Sequence, residues 1–582
     1  MAMLRHLLLF YLIIAMSLQN FCVNNLGAHQ QDESSWDLSS FHLKLSVIWK
    51  KGFWRDGLIA GTNSLDFPFL VDPDGDGMYD IYKFCGYSFY GYTSDGEQIL
   101  NMTFESGLID GTPQFGDFDG DGSEELVFRH ICGPLVYMDP FSHEVKRSFL
   151  GPTNSRFLIY ADFYGDGDKE FAIGGFHELY ILDSEALEIR DIVADINATS
   201  IAPIDINNDD AYEIAFYWNT FVGVVDPISH EFVWSYWIPE RFGSWFSGEM
   251  YVGDFDDDDV PEVVVVTWDC RVLVFDGCDG DIEANIAFDV PQDFFLTPLV
   301  SAAFCDLDGD GHIEGIFSWD FDSITPLKGI IAIVNMNDYS IKDIISITLE
   351  EPDWVCCPDP FSLVVADFNL DGYYDIMEFI VADMPGDKRR LSPSYVTIFD
   401  GKTLQQALTF DISTILQVSY NNYWYSSIDN RVVLFDVNND DFFELVWSTD
   451  ASLMLLRLDL DPYVYPLAYW VTWGGYYDSF RNFEFFDNDH DGLADYYEAK
   501  LGLDPTSRDT DNDGIPDRQE VLEYLRNLSL EVRENISGEE IPLWEYLLPI
   551  IVVSLGVSIA ILIVVVKKGG RKNPFSRLAS NI

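Results

Sequence analysis

Asp117-Phe-Asp-Gly-Asp-Gly-Ser-Glu-Glu125 decides how this chain is read. Carboxylates at positions one, three, five and nine of so tight a turn converge on one spot, and their repulsion must be cancelled by a cation. The pattern Asp-x-(Asp/Asn)-x-Asp-(Gly/Asp)-x-x-(Asp/Glu) recurs eight times between Asp72 and Glu444, with Tyr164 at position three of the copy at Asp162, at intervals of 43 to 69 residues. Position six is Gly or Asp in every copy, which suits a sharp turn with positive φ. Position two is mostly apolar (Phe118, Phe163, Ile206, Phe255, Leu307, Phe368, Val437), as needed to pin the turn into a core.

The residues between the acidic turns alternate short β-branched and aromatic runs with Asn, Gly, Pro and Asp. Ser200–Asp205 enters the fourth turn, and Glu213–Trp218, Phe221–Asp226 and Glu231–Tyr236 follow it. The fifth copy repeats this with Met250–Gly253, Glu262–Trp268, Arg271–Asp276 and Ile282–Phe288. These are strands joined by turns. One four-stranded antiparallel sheet cannot hide both apolar faces, so about fifty residues per unit, repeated eight times, predicts an all-β β-propeller. Eight blades are expected, with seven as the alternative, and each acidic loop lies between the first and second strands of its blade. Leu43–Trp49 resembles the last strand of a unit, with Trp49 in the place of Trp234. It is expected to pair with the final blade, after Tyr463–Trp473, and close the ring.

Oxygen ligands at this spacing suit Ca²⁺ better than zinc or copper, which would call for His or Cys. The candidate ligands are Asp72, Asp74, Asp76 and Asp80; Asp117, Asp119, Asp121 and Glu125; Asp162, Asp166 and Glu170; and Asp205, Asn207, Asp209 and Glu213. They continue with Asp254, Asp256, Asp258 and Glu262; Asp306, Asp308, Asp310 and Glu314; Asp367, Asn369, Asp371 and Asp375; and Asp436, Asn438, Asp440 and Glu444. The loops at Asp72, Asp117, Asp254 and Asp306 carry full carboxylate sets and should bind best. The loop at Asp162 has Tyr164 at position three and should be weak or empty.

Asp117–Glu125 and Asp306–Glu314 resemble the calcium loops of FG-GAP (VCBS-type, integrin α-like) propeller repeats, over about residues 65 to 475. The resemblance implies that calcium stiffens the propeller while one of its faces does the recognition. Members range from adhesion receptors to secreted lyases, so it does not fix an activity. Unlike integrin α subunits, the chain has no long β-sandwich leg after the propeller.

After Trp473 the pattern changes. Asp487, Asp489, Asp491, Asp495 and Glu498 occupy positions one, three, five, nine and twelve of a twelve-residue loop. Asp509, Asp511, Asp513, Asp517 and Glu520 repeat it 22 residues later. A Glu at position twelve can chelate with both oxygens. Tyr496–Leu501 fits a short helix ended by Gly502, and Arg518–Arg533 fits a longer one. The segment resembles thrombospondin type 3 repeats, which implies a calcium-stiffened spacer.

The domain reading is thus a signal peptide at 1–28, a propeller at 36–475, calcium repeats at 483–522, a juxtamembrane linker at 523–543, a transmembrane helix at 547–566 and a basic tail at 567–582. Leu7–Leu18 is the apolar part of the leader, and Leu547–Val566 holds no charge. Lys567, Lys568, Arg571, Lys572 and Arg577 place the tail in the cytoplasm and the rest outside. Net charge is −65, from 98 acidic and 33 basic side chains, which excludes nucleic acid as a partner. A halophile's acidic surface is the alternative source of the excess, but the candidate loops hold acids at fixed spacing rather than scattered over polar faces. Cys270 and Cys278 can bridge adjacent strands on this reading.

No nucleophile elbow, zinc-protease motif or phosphate loop is present. His312 and His490 occupy variable loop positions and are read as exposed non-ligands. Met384–Pro393 forms a basic tip, and Tyr420–Tyr425 an aromatic cluster, in the longest interval. The function expected is a calcium-binding cell-surface protein, membrane-anchored by a single pass, that recognises an extracellular protein or glycan. The alternative is an extracellular polysaccharide lyase or hydrolase; the sequence assigns no catalytic residue.

Overall fold

The computed structural model describes residues 37–536 apart from connecting stretches, the longest being 60–67, 104–113, 240–248, 289–299, 382–393 and 471–486. Eight antiparallel sheets of four or five strands follow one another along the chain, six of them with their strands in sequence order. Blade one is Pro68–Val71, Asp80–Cys85, Ser88–Tyr92 and Gln98–Thr103. Blade four is Ser200–Ile204, Glu213–Trp218, Phe221–Val225 and Phe232–Trp237, and blade five is Glu249–Gly253, Glu262–Thr267, Arg271–Asp276 and Ile282–Ala287, within a residue or two of the sequence reading. First strands of neighbouring blades touch, as Ser200–Ile204 does with both Phe157–Ala161 and Glu249–Gly253. They therefore converge on a common axis. The chain is an eight-bladed β-propeller.

Apolar faces drive the ring. One buried cluster joins Ala202, Ile204, Ala215 and Val224 of blade four to Met250, Val252, Val263 and Val265 of blade five. Another joins Phe69, Tyr82 and Phe89 of blade one to Leu126, Phe128 and Val136 of blade two. Each sheet thus shares its core with the next, and burial at about 25 cal/mol per Å² of apolar surface rewards closure.

Closure uses the strand the sequence pointed to. His42–Gly52 pairs antiparallel with Ser452–Asp461 and supplies the outer strand of blade eight, whose other strands are Asn430–Phe435 and Glu444–Thr449. Trp49 donates its indole N–H to the Ser94 carbonyl at 2.8 Å, as Trp234 does to Gly277 at 2.7 Å. Both rings lie on a turn of the following blade. The Tyr463–Trp473 segment departs from expectation: Leu467–Trp470 adds a fifth strand to blade seven, beside its innermost strand Val364–Asp367.

The proposed Cys270–Cys278 bridge is not formed; both thiols are free. They flank the six-residue strand Arg271–Asp276, whose length of about 20 Å keeps them apart. The Cys278 thiol instead donates to the Ile206 carbonyl at 3.0 Å.

Residues Met1–Arg526 form one compact unit and Asn527–Ile582 a second. Beyond the propeller lie α1, Asp495–Leu501, and α2, Asp517–Ile536. Gly502 ends α1 in the left-handed conformation and donates to the Glu498 carbonyl at 2.7 Å. Among the described residues no helix is long and apolar enough to cross a membrane. The leader, the 547–566 span and the basic tail lie outside the described residues, as does the basic tip at 384–393.

A packing prediction follows from the tryptophan contacts. Gly280 has φ of +75°, and a Cβ there would sit 2.5 Å from the Trp234 ring. Gly280→Ala is expected to destabilise the propeller by about 2–3 kcal/mol, from overpacking together with the left-handed backbone, read as a lower midpoint in denaturant titration.

Candidate metal centres

Every acidic loop sits where the sequence put it, between strands one and two of its blade. The position-one carboxylate organises the turn from inside. One Asp306 oxygen accepts the Asp310 N–H at 3.0 Å and the other the Gly311 N–H at 3.1 Å. The same pair recurs at Asp72, Asp162, Asp205 and Asp367. Position six has positive φ wherever it is described: Gly77, Gly167, Asp210, Gly311 and Gly372. Position four does too, at Gly165, Asn208, Gly309, Leu370 and Asn439, which the sequence reading did not anticipate.

The position-nine carboxylate is buried beneath the loop and spends one oxygen on the position-two N–H. Glu262 accepts from Phe255 at 2.7 Å, Glu314 from Leu307 at 3.0 Å and Glu444 from Val437 at 3.1 Å. In Glu444 the second oxygen is buried with no hydrogen-bond partner among the described residues, whereas in Asp375 it accepts the Gly401 N–H at 2.9 Å. Adjacent loops also join. Tyr374 donates its backbone N–H to the Leu307 carbonyl, Tyr79 to Val437 and Tyr212 to Asp162, each at 2.8–2.9 Å. Three pairs of neighbouring loops are thus linked, in blades six and seven, eight and one, and three and four.

Ligand oxygens within 4.8 Å of one another come together in Asp72/Asp74/Asp76, Asp254/Asp256/Asp258/Glu262, Asp306/Asp308/Glu314, Asp487/Asp489/Asp491 and Asp509/Asp511/Asp513. These acidic clusters can hold metal ions. Asp80, the position-nine acid of blade one, is half-buried beside its cluster. Asp119 and Asp121 lie outside the described residues, so the loop they share with Asp117 and Glu125 is seen only at its ends. The Asn-containing loops (Asp205, Asn207, Asp209, Glu213; Asp367, Asn369, Asp371, Asp375; Asp436, Asn438, Asp440, Glu444) keep the same turn with one carboxylate fewer.

The donor chemistry fits a hard cation. In the Asp487–Glu498 loop, Asp487 and Glu498 are both 0 % exposed. One Asp487 oxygen, one Asp489 oxygen and both Glu498 oxygens are buried without a hydrogen-bond partner. A fully buried carboxylate left in this state is costly, and an oxygen-seeking ion such as Ca²⁺ would relieve it. His490 is half-buried rather than exposed, whereas His312 is exposed.

This loop is fastened to the propeller at its start. Tyr469 donates to Asp487 at 2.7 Å, and Tyr374 to the Gly492 carbonyl at 2.6 Å. Arg518, buried, reaches Asp306 of blade six at 3.1 Å and the Gly372 carbonyl of blade seven at 3.3 Å, stacked on the Tyr374 ring. Its backbone N–H also donates to Asp491 at 3.2 Å. Asp495 accepts the Asn488 N–H, and Asp517 accepts from Thr510, in the second loop, where Glu520 completes the set.

The structure also shows basic groups that sequence reasoning missed. Lys146 contacts Glu125 at 2.5 Å; Arg190 contacts both Asp166 and Glu170; Lys342 contacts Asp308 at 2.9 Å and Glu314 at 2.6 Å. Each is the bulged residue of its blade's outer strand, where the register shifts by one. A spacing marks them: each follows by seven residues the Asp or Asn (139, 183, 335) that opens the preceding turn. The same step from Asp226, Asp276 and Asp400 leads to Val233, Glu283 and Ala407.

No protein-family model and no curated protein matches the sequence. Among solved structures the chain is similar to the biofilm matrix protein Bap1 of V. cholerae, at 12% identity and a TM-score of 0.43 over 78% of this chain and 96% of that one. It is also similar to Saccharomyces cerevisiae Sqt1, at 10% identity and a TM-score of 0.43 over 67% and 96%. These likenesses concern fold alone; the blade count rests on the strand pairing.

Burial raises the loop acids, and neighbouring carboxylates add to it. Glu262 is pushed up to about 10 by burial and then by Asp256 and Asp254, Glu498 to about 9 by burial and then Asp489, and Glu444 to about 8 by burial and then Asp440. The metal-free folded chain therefore binds more protons than the unfolded chain above the ordinary carboxylate range. Its stability must fall as pH rises from about 4.5 through about 8–10. Melting in chelator should show a lower midpoint at pH 8.5 than at pH 5.5, and calcium should flatten or reverse that slope, since it binds the ionised form.

Proposed function

We propose that this chain is a calcium-binding cell-surface protein of the FG-GAP kind, whose ions are structural and whose propeller face recognises an extracellular protein or glycan. The single observation that carries the metal reading is the set of buried, unpartnered oxygens on Asp487, Asp489 and Glu498. Hard oxygen donors, convergence within 4.8 Å and repetition of the loop around the ring support the same reading for the propeller. In this reading residues 483–522 are thrombospondin type 3-like repeats, and Leu547–Val566 anchors the chain with Lys567 and Lys568 inside the cell. The aromatic cluster Tyr420–Tyr425 is a candidate for the contact surface: Val418–Tyr420 and Tyr423–Tyr425 form a two-stranded hairpin inserted between blades seven and eight.

Extracellular sites of this type bind at about 10⁻⁴ to 10⁻³ M. At free calcium ten times the dissociation constant, each would add about 1.4 kcal/mol to stability. Thermal melting with millimolar calcium and with EGTA should differ by about 1–2 degrees for each site that fills; equal midpoints would count against structural calcium. Recognition is tested on a glycan and matrix-protein array with the full-length chain. Calcium-dependent retention of intact ligand is expected, and cleavage of a polysaccharide would replace the adhesion reading with an enzymatic one.

A further inference from the structure

We infer that blades three and six carry their loop cation as a side chain, Arg190 in one and Lys342 with Arg518 in the other, while blades one and five are built for metal. The inference rests on the calcium reading above and divides the loops that reading treats alike.

Blade six brings together Asp306, Asp308, Asp310 and Glu314, four acids around a turn whose deepest member, Glu314, is 0 % exposed. The Lys342 ammonium sits among three of them, at 2.6 Å from Glu314, 2.9 Å from Asp308 and 3.8 Å from Asp310. Arg518 takes the fourth, Asp306, at 3.1 Å, from a side chain that is itself buried. Two positive charges match one divalent ion in blade six, so net charge at the loop is the same either way, with one buried Asp308 oxygen left without a hydrogen-bond partner among the described residues. The close approach of Asp306, Asp308 and Glu314 is what such a pair of basic groups produces, so proximity alone does not mark this loop for metal.

Blade three is the simpler case. Position three is Tyr164, which offers no carboxylate, and Arg190 spans Asp166 and Glu170 while its guanidinium lies 3.9 Å from the centre of the Tyr164 ring. The site is filled, and its missing ligand is the surface on which the filling group stacks.

Blade five is the opposite. The bulge position that holds Arg190 and Lys342 elsewhere holds Glu283, so the loop of Asp254, Asp256, Asp258 and Glu262 gains an acid instead of losing charge. The Tyr339 hydroxyl from blade six bonds Glu283 and lies 3.5 Å from Asp256, which ties the extra carboxylate to the loop. In blade one the same position is Ile99, which brings no charge. In these four blades the second residue of the outer strand thus sets whether the chain itself offsets the loop's charge, in blade six together with Arg518.

The test counts calcium on the full-length chain by equilibrium dialysis with radioactive calcium, alongside melting in calcium and in chelator. Glu283→Lys should bind about one ion fewer than the wild type, and Ile99→Lys should do the same in blade one should the first variant fail to fold. Lys342→Met should melt markedly lower than the wild type in chelator and close to it in saturating calcium. An unchanged ion count in the lysine variants, or an equal loss of midpoint for Lys342→Met in both conditions, overturns the inference while leaving calcium binding intact. A wild-type chain that binds no calcium overturns this inference and the proposed function together.

Discussion

Carboxylate repulsion within the nine-residue loops is the constraint on which the architecture depends. Each loop joins the innermost strand of a blade to the next, so a loop that springs open would pull that strand from the axis. Burial makes the problem worse. Glu125, Glu314 and Glu444 are fully buried, where charge is poorly screened by water and costly to keep unpaired. The chain meets the constraint with backbone N–H groups on the position-one carboxylate, with basic side chains from outer-strand bulges, and with space for hard cations. The hydrophobic contacts between blades supply the bulk of the stability, but they can form only when the loops at their edges are closed.

The same economy shapes the C-terminal segment. Arg518, at the start of α2, is held by Asp491 from the acidic loop behind it and by Asp306 and Tyr374 from the propeller in front. The Tyr374 and Tyr469 rings lie tilted against each other with centres 5.0 Å apart, and each donates its hydroxyl to the Asp487–Glu498 loop. A cation drawn in by Asp487 and Glu498 would therefore stiffen a joint between this loop and blades six and seven. Leu467–Trp470, added beside the innermost strand of blade seven, brings Tyr469 to that joint.

Most of the fold was legible because each unit repeats a local pattern. Asp at positions one and five, an apolar residue at two and Gly or Asp at six fix the loop within a few residues, and the strands flanking it alternate in the ordinary way. Trp49 matched Trp234 because both perform the same contact, an indole N–H given to a turn of the next blade. What stayed hidden depends on contacts remote in sequence or on residues with common bland roles. A lysine seven residues after a turn aspartate looks like a solvated surface charge until the bulge shows where it points. Leu370 has positive φ against its own preference, and only the loop around it requires that. Arg518 and Tyr374 are separated by well over a hundred residues, so no local pattern announces their stacking.

Calcium anomalous scattering from crystals of the protein grown with millimolar calcium tests the central claim most directly, since it locates ions loop by loop. Peaks are expected within the loops of blades one and five and between Asp487 and Glu498, with none between Asp162 and Glu170 or between Asp306 and Glu314. Peaks inside the loops closed by Arg190 and Lys342, or no calcium in any loop, would contradict that claim.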